Sequence, residues 1–156
     1  MITSQNKSFV FAARLQRQLY QLVRTYELCD QACLAQNGVT ASQGYTLLSL
    51  PQEGTLSMND LSEAMGLAGS TMTRYVDELV RKGFVQRKPD AEDRRVVRVE
   101  LTNQGREVRS ILEGALQDFY KQVLDEIPPD ERVALLHALD LVSQAITKVF
   151  NSCCVS

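Results

Sequence analysis

Between positions 9 and 37 the apolar residues recur at helical spacing. Leu15, Leu19, Leu22, Tyr26, Cys29 and Cys33 follow one another by 4, 3, 4, 3 and 4 residues, which keeps one stripe along one side of a helix. Asn37-Gly38 supplies a left-handed stop. So long a stripe exceeds what one small domain can cover, and the pattern predicts a partner subunit. "TASQGYTLLSL" (40–50) predicts a short second helix stopped by Pro51. In "LSMNDLSEAMGL", Ser57 is the N-cap of a third helix, with Asp60 as an acidic capping-box partner. Leu61 and Met65 form its inner face, and Gly66 stops it. "AGSTMTRYVDELVRKG" predicts a fourth helix with Ser70 as N-cap. Its periodic positions are Met72, Tyr75, Val76, Leu79 and Val80, and Gly83 is its C-cap. Short helices separated by "GLAGS" form a helix-turn-helix pattern.

"FVQRK" and "VVRVEL" then read as two short strands around the polar loop "PDAEDRR", a hairpin shaped like a wing. Thr102 caps a long helix with Val108, Ile111, Leu112, Ala115, Phe119 and Val123 on its apolar side. "IPPDER" breaks that helix, and its second proline suits the first turn of another. The last helix runs to about Phe150, with Val133, Leu136, Leu139, Val142, Ile146 and Val149 inward. The predicted fold is mainly α with a small β wing: a winged helix-turn-helix plus a helical dimerisation region. Residues 38–102 would form the DNA-binding domain, and residues 1–37 and 103–156 the dimerisation region.

Charge sharpens this picture. The 156-residue chain carries a formal net charge of −2. Yet Ser70–Arg109 holds 10 Lys/Arg and 7 Asp/Glu, a local +3 that leaves −5 for the rest. A basic face on an acidic body suits a polyanionic partner. A helix entering the major groove needs a slim, hydrogen-bonding leading end. Ser70, Thr71, Thr73 and Arg74 supply hydroxyls and one arginine there. Arg74 is suited to guanine or to phosphate. Arg94 and Arg95 at the hairpin tip suit a narrow minor groove, whose negative potential attracts arginine. Asp93 is placed to hold an arginine extended, and Arg87, Lys88 and Arg98 to lie along phosphates.

The stretch from Leu56 to Gly105 resembles the core of the multiple antibiotic resistance regulator (MarR) family. The resemblance rests on Leu61 to Met65, Thr71 through Leu79, Lys82-Gly83, Arg87, Asp93-x-Arg95, Leu101-Thr102 and Gly105. The flanking helices have the expected order and length, so it extends over nearly the whole chain. It implies an obligate homodimer that represses or activates nearby genes and is released by a small phenolic ligand, oxidation or metal. It also implies that Arg95 is the wing-tip arginine and Asp93 its orienting partner. One departure is Gly44, where the family often has a bulky apolar residue; the glycine opens space, for instance for a ligand.

Other residues have two readings. Tyr26 and Tyr45, with Phe119, are candidates to line a ligand cleft, against plain core packing. Cys29 and Cys33 stand at i, i+4, where two thiolates can share a soft metal; they also continue the apolar stripe as small hydrophobes. Cys153 and Cys154 are expected to be exposed and oxidisable, which keeps a thiol- or metal-responsive regulator as an alternative. His137, the sole histidine, is expected in the core or at its boundary. No phosphate-cradling glycine loop or paired-carboxylate motif occurs, and the reading is of a protein without catalytic activity or cofactor. No apolar run approaches the roughly 20 residues a membrane span needs. The first residues have neither a secretory nor a transit pattern, so the expected location is the cytoplasm, without a membrane partner. The expected partners are double-stranded DNA, a second copy of the chain and an unidentified small-molecule effector. A winged helix used only for protein–protein contact is the rival from another class.

Overall fold

The computed structural model describes residues 4–153. In chain order its elements are α1 (Ser4–Ala35), α2 (Ala41–Ser49), β1 (Leu56–Ser57), α3 (Met58–Met65), α4 (Gly69–Arg81), β2 (Val85–Pro89), β3 (Val97–Leu101), α5 (Asn103–Asp125) and α6 (Arg132–Cys153). The mainly helical fold with a small β wing is as the hydrophobic pattern predicts. The chain divides into two compact units, Met1–Ala115 and Leu116–Ser156.

The core of the first unit is apolar and continuous. Leu47 and Leu50 of the α2 segment, Leu61 of α3, and Met72, Val76 and Leu79 of α4 are buried together with Val85, Val99, Leu101 and Leu112. Full burial of each such leucine or valine is worth about 1.5–3 kcal/mol. The sheet is antiparallel in the order β1-β3-β2. Val85 pairs with Leu101 and Pro89 with Val97, while Leu56 pairs with Val99. The hairpin was legible in the sequence; β1 was not, because two residues carry no period. Pro89 ends β2, an edge strand where its missing N–H leaves no ladder partner unmet.

Local chemistry sets the boundaries. Ser57 caps α3 as predicted: its Oγ accepts from the Asp60 N–H at 3.1 Å, and the Asp60 carboxylate accepts from the Ser57 N–H at 3.4 Å. Thr40 and Gln43 make a second capping box at the start of α2. Gly66 takes the left-handed conformation that ends α3, with φ 61°. For α4 the predicted cap is wrong. Ala68 occupies the N-cap position without a side-chain cap bond, because the helix begins one residue before Ser70.

The Leu-Thr and Gly positions before and inside α5 have a shared physical reason. Thr102 Oγ1 donates to the Gly83 carbonyl at 2.6 Å and accepts from the Gly105 N–H at 3.0 Å. The Thr102 N–H donates to the Phe84 carbonyl at 3.0 Å. This holds the first turn of α5 against the α4–β2 connection so closely that a Cβ on residue 105 would lie 1.8 Å from the Phe84 carbonyl oxygen. Gly44 is also explained by packing, but not as predicted. The space beside it is filled by Leu34, whose Cδ2 would stand 2.9 Å from an added Cβ. The glycine admits a neighbouring leucine.

Three expectations for the last helices change. Pro129 lies in the turn before α6, which starts at Arg132; Arg132 donates to the carbonyls of Ile127 and Leu124 and closes that turn. The positions predicted to face inward on α6 are exposed in the single chain apart from half-buried Val142, and His137 is exposed. By length and composition α6 is the one helix among the described residues able to cross a membrane, where no apolar stretch of that length was expected. His137, Asp140, Ser143, Gln144 and Lys148 interrupt its apolar residues.

Candidate nucleic-acid interface

The N-terminal half of α4 presents a polar outer face. Ser70, Thr73 and Arg74 are exposed, and Thr71 is half-buried. Met72, Val76 and Leu79 anchor the opposite side of the same helix in the core. Because Ser70 is not the cap, its hydroxyl has no hydrogen-bond partner among the described residues. Thr73 Oγ1 donates back to the Gly69 carbonyl at 2.8 Å. Arg74 lies over the Tyr75 ring, 5.5 Å from its centroid, which steers the guanidinium along the helix surface. The uncapped first turn leaves backbone N–H groups without a side-chain acceptor, a geometry that favours an anion.

The wing explains its own charge pattern. Asp90 Oδ1 accepts from the N–H groups of Glu92 and Asp93, at 2.8 and 3.1 Å. Asp93 Oδ1 accepts from the Arg95 N–H at 3.0 Å, and the Asp93 carbonyl from the Val96 N–H at 2.9 Å. Asp93 therefore braces the Arg95 backbone, where an arginine side chain was expected as its partner. Asp90 and Asp93 are engaged by backbone N–H groups, and Arg94 and Arg95 remain exposed with no acid partner among the described residues. Arg95 also borders a hollow of about 220 Å³ lined by Ser57, Met58, Asn59, Val96 and Val97. The wing and the start of α3 thus meet at one depression.

The other three predicted cations each have a carboxylate. Arg87 Nη1 donates to Asp77 Oδ1 at 2.5 Å, and its Nη2 donates to the Thr73 carbonyl at 3.4 Å, which links β2 to α4. Lys88 meets Glu100 at 2.5 Å across the hairpin. Arg98 donates to Asp90, and that bond, helped by the Asp93 and Glu92 N–H groups, holds the Asp90 carboxyl down at about 2. In return Asp90 raises the Arg98 guanidinium further. Lys88, and after it Gln86, keeps Glu100 below the ordinary carboxylate value. Asp77, Asp90 and Glu100 were missed in the sequence because their partners are set by strand register and by the β2–α4 approach. One sign was available for Asp90: it opens the loop immediately after proline.

Tyr26 of α1 and Tyr45 of α2 do come together, with their hydroxyls 3.1 Å apart. Tyr45 also donates to Asp30, which is buried on α1. Burial first, then these two hydrogen bonds, push the Tyr45 phenol up. In the second unit the half-buried ring of Phe119 meets Tyr120 edge-on at 5.5 Å. Cys29 is half-buried and free, and Cys153 is free and exposed. Only the backbone of Cys33 is described, and Cys154 lies outside the described residues.

Comparison with known proteins places this geometry. A sequence profile of the MarR family matches residues 39–97. An uncharacterized HTH-type transcriptional regulator of Mycobacterium leprae is 31% identical over 111 residues, covering 71% of this chain and 78% of that protein. The uncharacterized HTH-type transcriptional regulator YfiV of Bacillus subtilis is 36% identical over 102 residues, covering 64% of this chain and 62% of YfiV, so the alignment spans under two thirds of that relative. Among solved structures, a cysteine-to-serine variant of MarR from E. coli complexed with operator DNA is 25% identical, with a TM-score of 0.73 over 86% of this chain and 96% of that one.

Proposed function

This chain belongs to the MarR family, and on that premise we propose that it is a homodimeric transcriptional regulator that grips a pseudo-palindromic operator in double-stranded DNA. One observation carries the reading: the unpartnered arginines of the wing stand in the same unit as an exposed helix face of small hydroxyls and Arg74. The DNA complex of the E. coli relative supports it. In this mechanism Ser70, Thr71, Thr73 and Arg74 enter the major groove. Arg94 and Arg95 enter the flanking minor groove. Asp93 keeps the Arg95 backbone fixed, so the tip loses little freedom on binding. Arg87, Lys88 and Arg98 reach phosphates by exchanging their carboxylate partners.

Self-association is supported by exposed apolar side chains on α1 and α6, among them Phe9 at 75% and Val133 at 79% exposure. Monomers rarely leave so much apolar surface in water. We read residues 1–37 and 103–156 as the dimerisation region and 38–102 as the DNA-binding domain. The apolar length of α6 then serves a partner subunit, in keeping with a cytoplasmic protein. Repression with release by a small ligand is the regulatory mode proposed. Tyr26 and Tyr45 are its candidate contacts, and the cysteines a thiol- or metal-responsive alternative.

The test is a fluorescence titration of wild type and Arg95→Ala on duplex selected from genomic DNA and on a scrambled duplex, across salt. Wild type is expected to prefer the selected duplex, with a log–log salt slope that the variant lowers by about 1. Equal, poor binding of both duplexes by both proteins would leave the protein–protein module as the better reading.

A further inference from the structure

Helix α4 is held by an apolar core along one face and by a polar clamp at its last turn. Gln43, at the start of α2, is only 4% exposed. Its Nε2 donates to Glu78 Oε2 at 2.7 Å, and its Oε1 accepts from Lys82 Nζ at 2.7 Å. The same Oε1 accepts from the Thr40 N–H at 3.3 Å within the α2 capping box. Lys82 Nζ reaches further, to the Gly38 carbonyl at 2.8 Å in the connection between α1 and α2. Glu78 and Lys82 are one helical turn apart, so a single buried amide holds the last turn of α4 at two points.

Apolar packing of Met72, Val76 and Leu79 resists separation of α4 from the core but is not directional. Hydrogen bonds are, and weaken steeply once misaligned. Ser70 lies eight residues from Glu78, about 12 Å along the helix at 1.5 Å per residue. Over that lever a tilt of about 5° moves the Ser70 end by about 1 Å, enough to spoil a base-edge hydrogen bond.

We propose that Gln43 is a positioning residue for DNA reading: by holding Glu78 and Lys82 it fixes the tilt of α4, and so sets sequence discrimination without touching DNA. This rests on the DNA-binding reading above. Non-specific attraction depends on exposed charge, which the amide leaves unchanged. Losing the clamp should therefore weaken the preferred duplex and spare the scrambled one.

The experiment measures Kd of the full chain for a duplex that wild type selects from genomic DNA and for its scrambled counterpart, with thermal unfolding of each variant alongside. Gln43→Leu is expected to lower discrimination at least about fivefold, the lower end of what one good base contact supplies, with scrambled binding unchanged. The exchange Gln43→Glu with Glu78→Gln reverses donor and acceptor while keeping the Lys82 bond, and is expected to restore most of the loss. A purely structural glutamine would shift the unfolding temperature and leave the ratio of the two Kd values unchanged. Should Gln43→Leu fail to fold, the double variant Glu78→Met with Lys82→Met, which leaves the net charge unchanged, removes the same bonds from the α4 side and must show the same selective loss. Unchanged discrimination in folded variants, or an exchange that folds without restoring it, overturns the proposal. A wild type that prefers no duplex overturns the DNA-binding reading, and this proposal with it.

Discussion

Gly105 shows how a single atom can be forbidden. The added Cβ of Gly105→Ala would fall on the Phe84 carbonyl, and the first turn of α5 must shift to admit it. The variant is expected to be destabilised by at least about 1–3 kcal/mol, the usual cost of overpacking, read by urea unfolding; unchanged stability would contradict the close approach. The Leu-Thr and Gly positions could be seen in the sequence as a motif, whereas the backbone contact that requires glycine needs the folded approach of two segments. Asp90 makes a second residue-level case. Its folded carboxyl titrates near 2 against an ordinary 3.8. The value is lowered, so the stabilising bond to Arg98 is fully present above about pH 4 and is lost as pH falls through 2. A carboxyl-carbon NMR titration should place the Asp90 midpoint near 2, and Arg98→Ala should move it up towards 3.8. An Asp90 midpoint at the ordinary value in wild type would mean that the bond to Arg98 is not made. Asp93 was legible as a wing residue, but its acceptor role towards the Arg95 N–H was not, because an Asx-type turn is invisible until the loop closes.

At the scale of the element, what was legible had either a period or a cap. The α3 capping box could be read directly from Ser57 and Asp60, and Ser57→Ala is expected to cost about 1 kcal/mol of stability; a loss near zero in thermal unfolding would mean the cap is not used. The start of α4 misled, since Ser70 is a better cap residue than Ala68 by side-chain chemistry. Core demands on Met72, Val76 and Leu79 fix the phase of that helix, and the cap was sacrificed. That choice matters for the interface, because it leaves the Ser70 hydroxyl free. β1 was hidden for a different reason: two residues gain strand geometry only by pairing with β3. On α5 and α6 the apolar stripes were legible, but the exposure of Ile111 and Val123 on α5 and of most of the α6 stripe in the single chain was not, since sequence period marks a buried face without saying which chain buries it.

For the whole molecule, the net charge of −2 hides a division of labour. Carboxylates at positions 77, 90 and 100 engage the wing's inner cations, while Arg94 and Arg95 stay available at its tip. Exposed apolar side chains on α1 and α6 predict that the protein sediments as a dimer at micromolar concentration; a monomer there would remove the two-fold arrangement. Hydroxyl-radical footprinting of the protein on DNA it selects tests the central claim most directly. The account predicts two protected half-sites related by a pseudo-two-fold, with centres about 34–36 Å apart, and additional minor-groove protection where Arg94 and Arg95 enter. A single unsymmetrical patch, or protection that survives unchanged when both arginines are replaced by alanine, would contradict it.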